Sequence, residues 1–385
     1  MNSFELYNPT KVIFGVDSYS KIDSEIPREA RVLLTYGAGS IKNNGVYDAV
    51  VKQLGARVVF EFGDIEPNPS LQTLEKALSL MKSQNIDYLL AVGGGSVIDG
   101  TKFLAGAFFY QGDPWDILKK GIRINKALPI ATVLTLPATG SENNSGAVIT
   151  NKLRNEKLGM GGPGLFPIVS FLNPEVVKSI PRRQLVNGLM DSFTHVLEQY
   201  LTYPTNAMVQ DGYSESLLKS VIKLAPRLLN EPYNEVNAGN FMWICSMALN
   251  GQLGKGVPTD WSTHIIGHEL TALYNIDHAV TLAIVFPNLW KNQFENKKEK
   301  LAQYAENVWN IQEGSIDEKA RKAIQCTEDF ISSLQIDVRL SSYSLEYKKA
   351  ANIIKENLKS RGLTRLGEKG TITPEVAERI IEMCY

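Results

Sequence analysis

Cysteine is nearly missing from this chain of 385 residues, which has three, Cys245, Cys326 and Cys384, far apart in the sequence. An odd number at such spacing excludes a disulfide framework and a zinc ribbon and fits a reducing compartment, so all three read as structural. A surplus of one charge is missing too. Lys plus Arg total 40 against 41 for Asp plus Glu, and no long run of one sign occurs. That removes the polyanion-seeking field of a nucleic-acid or membrane-surface binder. No apolar run reaches the roughly 18 residues that span a bilayer, and the opening MNSFELYNPTKVIFG has no basic segment leading into an apolar one. The expectation is a cytoplasmic protein acting on a small molecule, with no nucleic-acid and no membrane partner. Histidine is scarce as well, at four residues, yet three of them fall within WSTHIIGHELTALYNIDHAVTLAIVFP.

What is present is ordinary for a globular protein: 44% hydrophobic residues, 21% charged, with 30 Gly and 17 Pro spread along the chain. At roughly one domain per ~150 residues the length suggests two. From about residue 31 to 151 the runs RVLLTYG, ARVVFEFG, DYLLAVGGGS and LPIATVLTLPATG alternate with helical patterns such as SLQTLEKALSLMKSQN. Strands alternating with helices of that length predict βαβ units and a parallel sheet. After Pro181 the texture turns helical, from PRRQLVNGLMDSFTHVLEQYLT to TPEVAERIIEMCY. The expected architecture is an α/β domain over residues 1–181 followed by an all-helical domain over residues 182–385.

Three segments of the α/β half carry polar chemistry. In DYLLAVGGGSVIDGTKFL an apolar strand runs into Gly93, Gly94, Gly95 and Ser96 and then a helix, so backbone N–H groups and a helix N-terminus converge as an anion nest. The pattern matches neither GxGxxG nor the P-loop. LLTYGAGSIKNNG repeats the theme with Gly37, Gly39 and Ser40, and two such turns favour a ligand with two anionic regions. An acidic residue after a strand holds the ribose of NAD and repels a 2′-phosphate. Tyr36 to Ser40 is uncharged and rich in donors, which favours NADP, although no arginine adjoins it. TLPATGSENNSGAVITN adds Thr135, Thr139, Ser141, Asn143, Asn144 and Ser145, hydroxyls and amides that suit a cofactor as well as a turn.

The helical half carries the histidines. Asp191 and His195 are four apart, so on a helix they share a face, opposite a stripe of Leu185, Leu189, Phe193, Val196 and Tyr200. His264 and His268 repeat the spacing on a second helix, with Thr259 or Asp260 as its expected cap, and His278 follows where YNIDH breaks the pattern. Five such groups exceed the three or four ligands a divalent metal needs, and a carboxylate with imidazoles suits Zn²⁺ or Fe²⁺ over Mg²⁺ or Ca²⁺. The likeness to the zinc-protease HExxH is superficial, because Ile265 follows the first histidine and no glutamate base stands between the two. Spacing leaves open which of the five bind, and does not separate zinc from iron.

Taken together, GGGSVIDGTK, TLPATGSE, the Asp191/His195 pair and the His264/His268/His278 segment resemble the iron-containing alcohol dehydrogenases, in the same order and over nearly the whole chain. GVPTDWSTHIIGHELTALYNIDHAVTLAIVFP, LAQYAENVWNI and LGEKGTIT resemble most the subgroup of NADPH-dependent aldehyde reductases and butanol dehydrogenases. The resemblance implies a Rossmann-like dinucleotide-binding domain followed by an all-α metal-binding domain. It also implies interconversion of short aldehydes and primary alcohols, butanal and butanol among them, with NADP(H), NAD being the alternative, and a homodimer. By position it implies Asp191, His195, His264 and His278 as ligands of one Fe²⁺ or Zn²⁺ ion, with His268 left near the nicotinamide for the reaction. Implied cofactor contacts are Gly37, Gly39, Ser40, Asn68, Gly94, Gly95, Ser96, Asp99, Thr135, Thr139, Ser141 and Lys157, Asp99 being counted with His268 in the catalytic set. Many family members have Pro-His-Gly where this chain has Asp277-His278-Ala279, and many NAD users carry aspartate at the position of Gly37. Two rivals share the architecture: an NAD-dependent polyol or glycerol dehydrogenase, and a dehydroquinate-synthase-like lyase, which needs a Lys/Arg cluster that does not accompany these motifs. A non-catalytic nucleotide binder would have an eroded histidine set, whereas all five groups are here.

Overall fold

The computed structural model describes residues 1–154, 156–343 and 346–385. Its strands are β1 (Lys11–Phe14), β2 (Arg31–Tyr36), β3 (Val58–Phe62), β4 (Tyr88–Gly94), β5 (Ile130–Leu136), β6 (Gly146–Asn151), β7 (Glu156–Gly161) and β8 (Val169–Leu172). Six of them make one sheet in the order β1-β8-β5-β4-β2-β3, with every pairing parallel. β6 and β7 form a separate antiparallel pair. β4, β5 and β8 are buried almost throughout, which is why they read in the sequence as unbroken apolar runs rather than as alternation.

Parallel neighbours need crossovers, and three helices supply them: α1 (Val46–Leu54), α2 (Leu71–Ser83) and α3 (Gly95–Ala107). α2 shows how the sequence sets its limits. The Ser70 side chain accepts from the Thr73 N–H at the start, and Leu71, Leu74, Ala77, Leu78 and Met81 make the buried stripe at spacings of three and four. α3 instead is buried on nearly every side, Lys102 included.

The strand order fixes where a ligand fits. From β2 the chain moves outward to β3, whereas from β4 it moves the other way to β5, so its direction reverses between the neighbours β2 and β4. In open α/β sheets the crevice beyond the carboxyl ends of two such strands is the ligand site. Both glycine turns leave those two ends, since Tyr36, the last residue of β2, stands opposite Val92 of β4.

After β8 the long elements are helices: α4 (Arg182–Tyr200), α5 (Met208–Asn230), α6 (Glu235–Ala248), α7 (Ser262–Tyr274), α8 (His278–Asn292), α9 (Phe294–Trp309), α10 (Ile316–Ser333), α11 (Ala350–Ser360) and α12 (Pro374–Glu382). None of the described helices is long and apolar enough to cross a membrane. The chain forms two compact units, one of Tyr7–Gln184 with Glu231–Asn250, the other of Met1–Leu6, Leu185–Asn230 and Gly251–Tyr385. The first thus holds the sheet and α6. Asn143 Nδ2 donates to Ser246 Oγ at 3.2 Å, and Asn144 Nδ2 donates to the Leu249 carbonyl at 3.2 Å. Gly140 is required there twice over, by its φ of +61° and because a Cβ would lie 3.1 Å from the Cys245 carbonyl oxygen.

In the helical unit α4 is central. Its stripe of Leu185, Leu189, Phe193, Val196 and Tyr200 is buried as expected, and burying each such side chain stabilises the unit by about 1.5–3 kcal/mol. The opposite face is also buried, so that Asp191 and His195 are only 4% and 5% exposed.

Two readings need correction. TLPATGSENNSGAVITN is not one polar turn: it begins inside β5 at Thr135 and ends in β6. The strands β1, β6, β7 and β8 had not been anticipated, because they are short and β6 and β7 carry Gly and Asn, residues disfavoured in strands.

Candidate functional site

The residues expected at the cofactor gather at the carboxyl ends of β2, β4 and β5. Gly39, at φ +91°, stands at the N-cap of the helical turn Ser40–Asn43, and Gly94 is the N-cap of α3; neither end has a side-chain cap. An uncapped helix N-terminus presents N–H donors and a positive dipole end to an anion. The two turns adjoin: a Cβ on Gly37 would lie 3.7 Å from Val97 Cγ2 of α3. On the other side a Cβ on Gly95 would sit 2.5 Å from Thr139 Oγ1, so only glycine lets the third segment close onto the second turn. Thr135 reaches the same end through the pairing of Leu136 with Gly94.

Polar contacts tie the remainder together. The N–H of Asn68, a residue held at φ +55°, donates to Ser96 Oγ at 3.3 Å, and Lys157 Nζ donates to Asn68 Oδ1 at 2.8 Å. Asp99 accepts from Ser141 Oγ at 2.6 Å and from the Val148 N–H at 2.9 Å. Sequence reasoning missed Lys102. It is fully buried and donates to Ser141 Oγ at 2.9 Å, Asn144 Oδ1 at 3.0 Å and the Gly146 carbonyl at 2.8 Å. Burial pushes its ammonium down to about 8, against the pull of Asp99 and Glu142. Burial likewise pushes the Asp99 carboxyl up, against the pull of Lys102.

The first turn is less neutral than residues 36–40 suggest. β3 brings Glu61 to it, where the carboxylate accepts from Tyr36 Oη at 3.0 Å and Tyr47 Oη at 2.5 Å. Lys42 Nζ lies 3.5 Å from that carboxylate and over the rings of Tyr36 and Tyr47. The acid next to the turn is therefore engaged by two hydroxyls and a cation.

The second cluster lies within the helical unit. Asp191 and His195 come from one face of α4, His264 from the first turn of α7, and His278 is the first residue of α8. The intervening break is made by Asn275, which ends α7 in the left-handed region at φ +53°. Asp191 Oδ1 lies 3.8 Å from His195 Nδ1, 3.9 Å from His264 Nε2 and 3.9 Å from His278 Nε2. Donors about 2.1 Å from one ion at tetrahedral angles are about 3.4 Å apart; the donor atoms of Asp191, His195 and His264 all lie within 4.8 Å of one another, so a modest contraction would close these three on a metal, with His278 facing the same carboxylate oxygen. Asp191 Oδ1, His195 Nδ1 and His264 Nε2 are buried and have no hydrogen-bond partner in the protein, as atoms reserved for an ion would be. His268, one turn after His264, is half-buried, with its ring 4.7 Å from that of His278 and 6.3 Å from that of His264.

Electrostatics set the members of the cluster apart. Burial raises the Asp191 carboxyl, but His195, His278 and His264 outweigh it and hold the group well below the carboxylate range. Burial pushes His195 down to about 4, a neutral ligand at ordinary pH. His264 would also fall on burial, yet Glu198 and Asp191 on either side push it up to about 9, so a metal that takes its Nε2 must displace a proton. Glu198 is the other residue that sequence reasoning missed. Its signal was present, three residues after His195 on the same helix.

The expected cap of α7 at Thr259 or Asp260 is displaced by one residue. Trp261 holds the N-cap at φ +64° without a side-chain cap, while Asp260 Oδ1 accepts from the Ser262 N–H at 3.0 Å. Trp261 also forms an aromatic wall, its ring 5.5 Å from that of His264 and 6.3 Å from that of His195.

Comparison with known proteins bears on both clusters. Residues 9–174 match the family described as iron-containing alcohol dehydrogenase, and residues 185–369 match the C-terminal part of the Fe-containing alcohol dehydrogenase family. The NADPH-dependent aldehyde reductase YqhD of Escherichia coli is 46% identical over 385 residues, 99% of each chain. NADH-dependent butanol dehydrogenase A of Clostridium acetobutylicum is 38% identical, over 100% of this chain and 99% of that one. The crystal structure of E. coli YqhD superposes with a TM-score of 0.97 at 45% identity, covering 100% of this chain and 99% of that one. Thermotoga maritima butanol dehydrogenase A gives 0.92 at 32% identity, covering 100% and 99%. With glycine turns at the sheet's switch point, an aspartate and three histidines around one buried point, and both parts of the chain matched in order, this protein belongs to the iron-containing alcohol dehydrogenase family.

Proposed function

We propose that the chain is a metal-dependent, NADP(H)-linked aldehyde reductase and alcohol dehydrogenase acting on short aldehydes such as butanal. The observation that carries this reading is the meeting of Asp191 Oδ1 with three imidazole nitrogens at 3.8 to 3.9 Å. In this reading Asp191, His195, His264 and His278 hold one divalent cation, Fe²⁺ or Zn²⁺. When bound, such a cation supplies Lewis acidity toward a carbonyl oxygen, and a reduced nicotinamide supplies hydride.

The chain's own residues do the rest. N–H groups at Gly37, Gly39 and Ser40, and at Gly94, Gly95 and Ser96, bind the anionic parts of the dinucleotide. Asn68, Lys157, Asp99, Thr135, Thr139 and Ser141 orient its ribose and amide. His268 delivers a proton from its imidazole to the product oxygen. Dinucleotide binding falls to the sheet unit and metal binding to the helical unit.

NADP is favoured because the acid beside the first turn, Glu61, is engaged by Tyr36, Tyr47 and Lys42. The relatives include an NADPH-dependent aldehyde reductase and an NADH-dependent butanol dehydrogenase, so activity with the two cofactors is to be measured side by side. A homodimer in the cytoplasm completes the proposal. Cys245, Cys326 and Cys384, which form no disulfide, suit the reducing compartment, and light scattering reads the subunit number.

The test is oxidation of NADPH by the metal-replete protein with butanal, followed by absorbance. Inactivity across a panel of short aldehydes, with both cofactors, sinks the assignment. Asp191→Ala is expected to remove bound metal and His264→Ala to weaken its binding, measured by elemental mass spectrometry, each with loss of activity; the same measurement on the parent decides zinc against iron.

A further inference from the structure

Glu198 is 4% exposed, and its carboxylate meets three donors of one short segment. Oε1 accepts from the Thr263 N–H at 2.7 Å, and Oε2 accepts from the His264 N–H at 3.3 Å and contacts His264 Nδ1. Its backbone carbonyl accepts from the Asp260 N–H at 2.9 Å. The first two contacts do for α7 what its own N-cap cannot, since Trp261 provides no oxygen. The third goes beyond capping. An imidazole whose Nδ1–H is given to a carboxylate carries its lone pair on Nε2, and Nε2 of His264 is the atom aimed at Asp191 Oδ1.

We infer that Glu198 is a positioning residue that fixes the tautomer and ring orientation of His264, so that Nε2 stands ready as a metal donor. The inference rests on the metal-centre reading above. α4 then contributes to the centre at three successive turns: Asp191 and His195 directly, Glu198 through its neighbour. The nearby charges do not claim this carboxylate. Asp260 is paired with Lys297 at 2.8 Å, and Lys297 with Glu368 at 3.0 Å.

The test is Glu198→Gln in the full chain. The amide keeps shape and an acceptor for the Thr263 N–H while presenting an NH₂ group to Nδ1, which moves the imidazole proton to Nε2. Co²⁺ affinity, read by competition with a chromophoric chelator, is expected to weaken about 10- to 100-fold, with a changed cobalt absorption spectrum. A double-mutant cycle separates positioning from capping: on a His264→Ala background, where Co²⁺ binding is already weakened, Glu198→Gln should add no further loss. Glu198→Asp, which keeps the charge, serves if the amide variant does not fold, and is expected to hold Co²⁺ more tightly than Glu198→Ala. Equal Co²⁺ affinity in the parent and Glu198→Gln, or equal added losses on both backgrounds, overturns the inference and leaves the metal centre standing. A parent protein that binds no Co²⁺, Zn²⁺ or Fe²⁺ overturns the metal centre and this inference with it.

Discussion

Lys102 carries an ammonium into the buried body of α3, and three acceptors fix it there. Replacing it by methionine removes the cation opposite the Asp99 carboxylate and strips Ser141, Asn144 and Gly146 of a donor. Breaking one side of such a buried arrangement costs about 3–5 kcal/mol, and a similar loss for Lys102→Met in urea unfolding at pH 7 is the expected outcome. The pH dependence has a definite sign. With the folded pKa at about 8 against 10.5 ordinarily, the unfolded chain binds the extra proton between those values, so this lysine's contribution to stability rises with pH across that window and is at its lowest below 8. The gap between the parent and Lys102→Met should therefore widen in the parent's favour from pH 8 to pH 10. His268 has a different signature: His268→Ala should retain the metal in elemental analysis while kcat falls roughly 10²- to 10⁴-fold. Loss of metal in that variant would move His268 into the ligand set. The i, i+4 spacing of Asp191 with His195 and of His264 with His268 is legible in the sequence. Lys102 is not, because in a sequence a charge on a helix looks like a solvated one, and only packing on nearly every side of α3 makes it internal; Glu198 has a spacing signal but nothing in the sequence to show that α4 is buried on that face.

At the scale of elements, the units with the longest range of regular spacing were the easiest to read. β2 to β5 and their crossover helices follow from apolar runs and helical periods, whereas β6 and β7 pair through residues with little strand preference, so their register comes from partners and not from local sequence. The start of α7 was hidden for a related reason: its capping oxygens come from Asp260 and from Glu198, which lies on another helix. The junction of β4 and α3 gives an element-level prediction. In Gly95→Ala the new methyl meets Thr139 Oγ1 and Cγ2 at 2.5 and 2.8 Å, and a β-branched side chain gives way poorly. The third segment must then retreat from the second turn. NADPH binding, followed by fluorescence titration, is expected to weaken at least about tenfold, with a smaller change in thermal midpoint; unchanged affinity would show that Thr139 does not line the dinucleotide site.

On the scale of the whole molecule, one ion would hold three helices, with Asp191 and His195 from α4, His264 from α7 and His278 from α8. Free energy of binding to the folded state adds to stability by mass action, so at ~100 times the dissociation constant a cation contributes about 2.7 kcal/mol. Stripping it with a chelator should lower the midpoint of calorimetric unfolding and return it on re-addition, in the parent but not in Asp191→Ala. The connectivity of the sheet unit has a further consequence, one of timing. Its last piece, Glu231–Asn250, lies beyond the whole Leu185–Asn230 stretch that belongs to the other unit. During synthesis the six strands therefore leave the ribosome well before Ser246 and Leu249 arrive to meet Asn143 and Asn144. For that interval the nascent chain carries all six strands while Asn143 and Asn144 still wait for their partners, so this corner of the unit closes last.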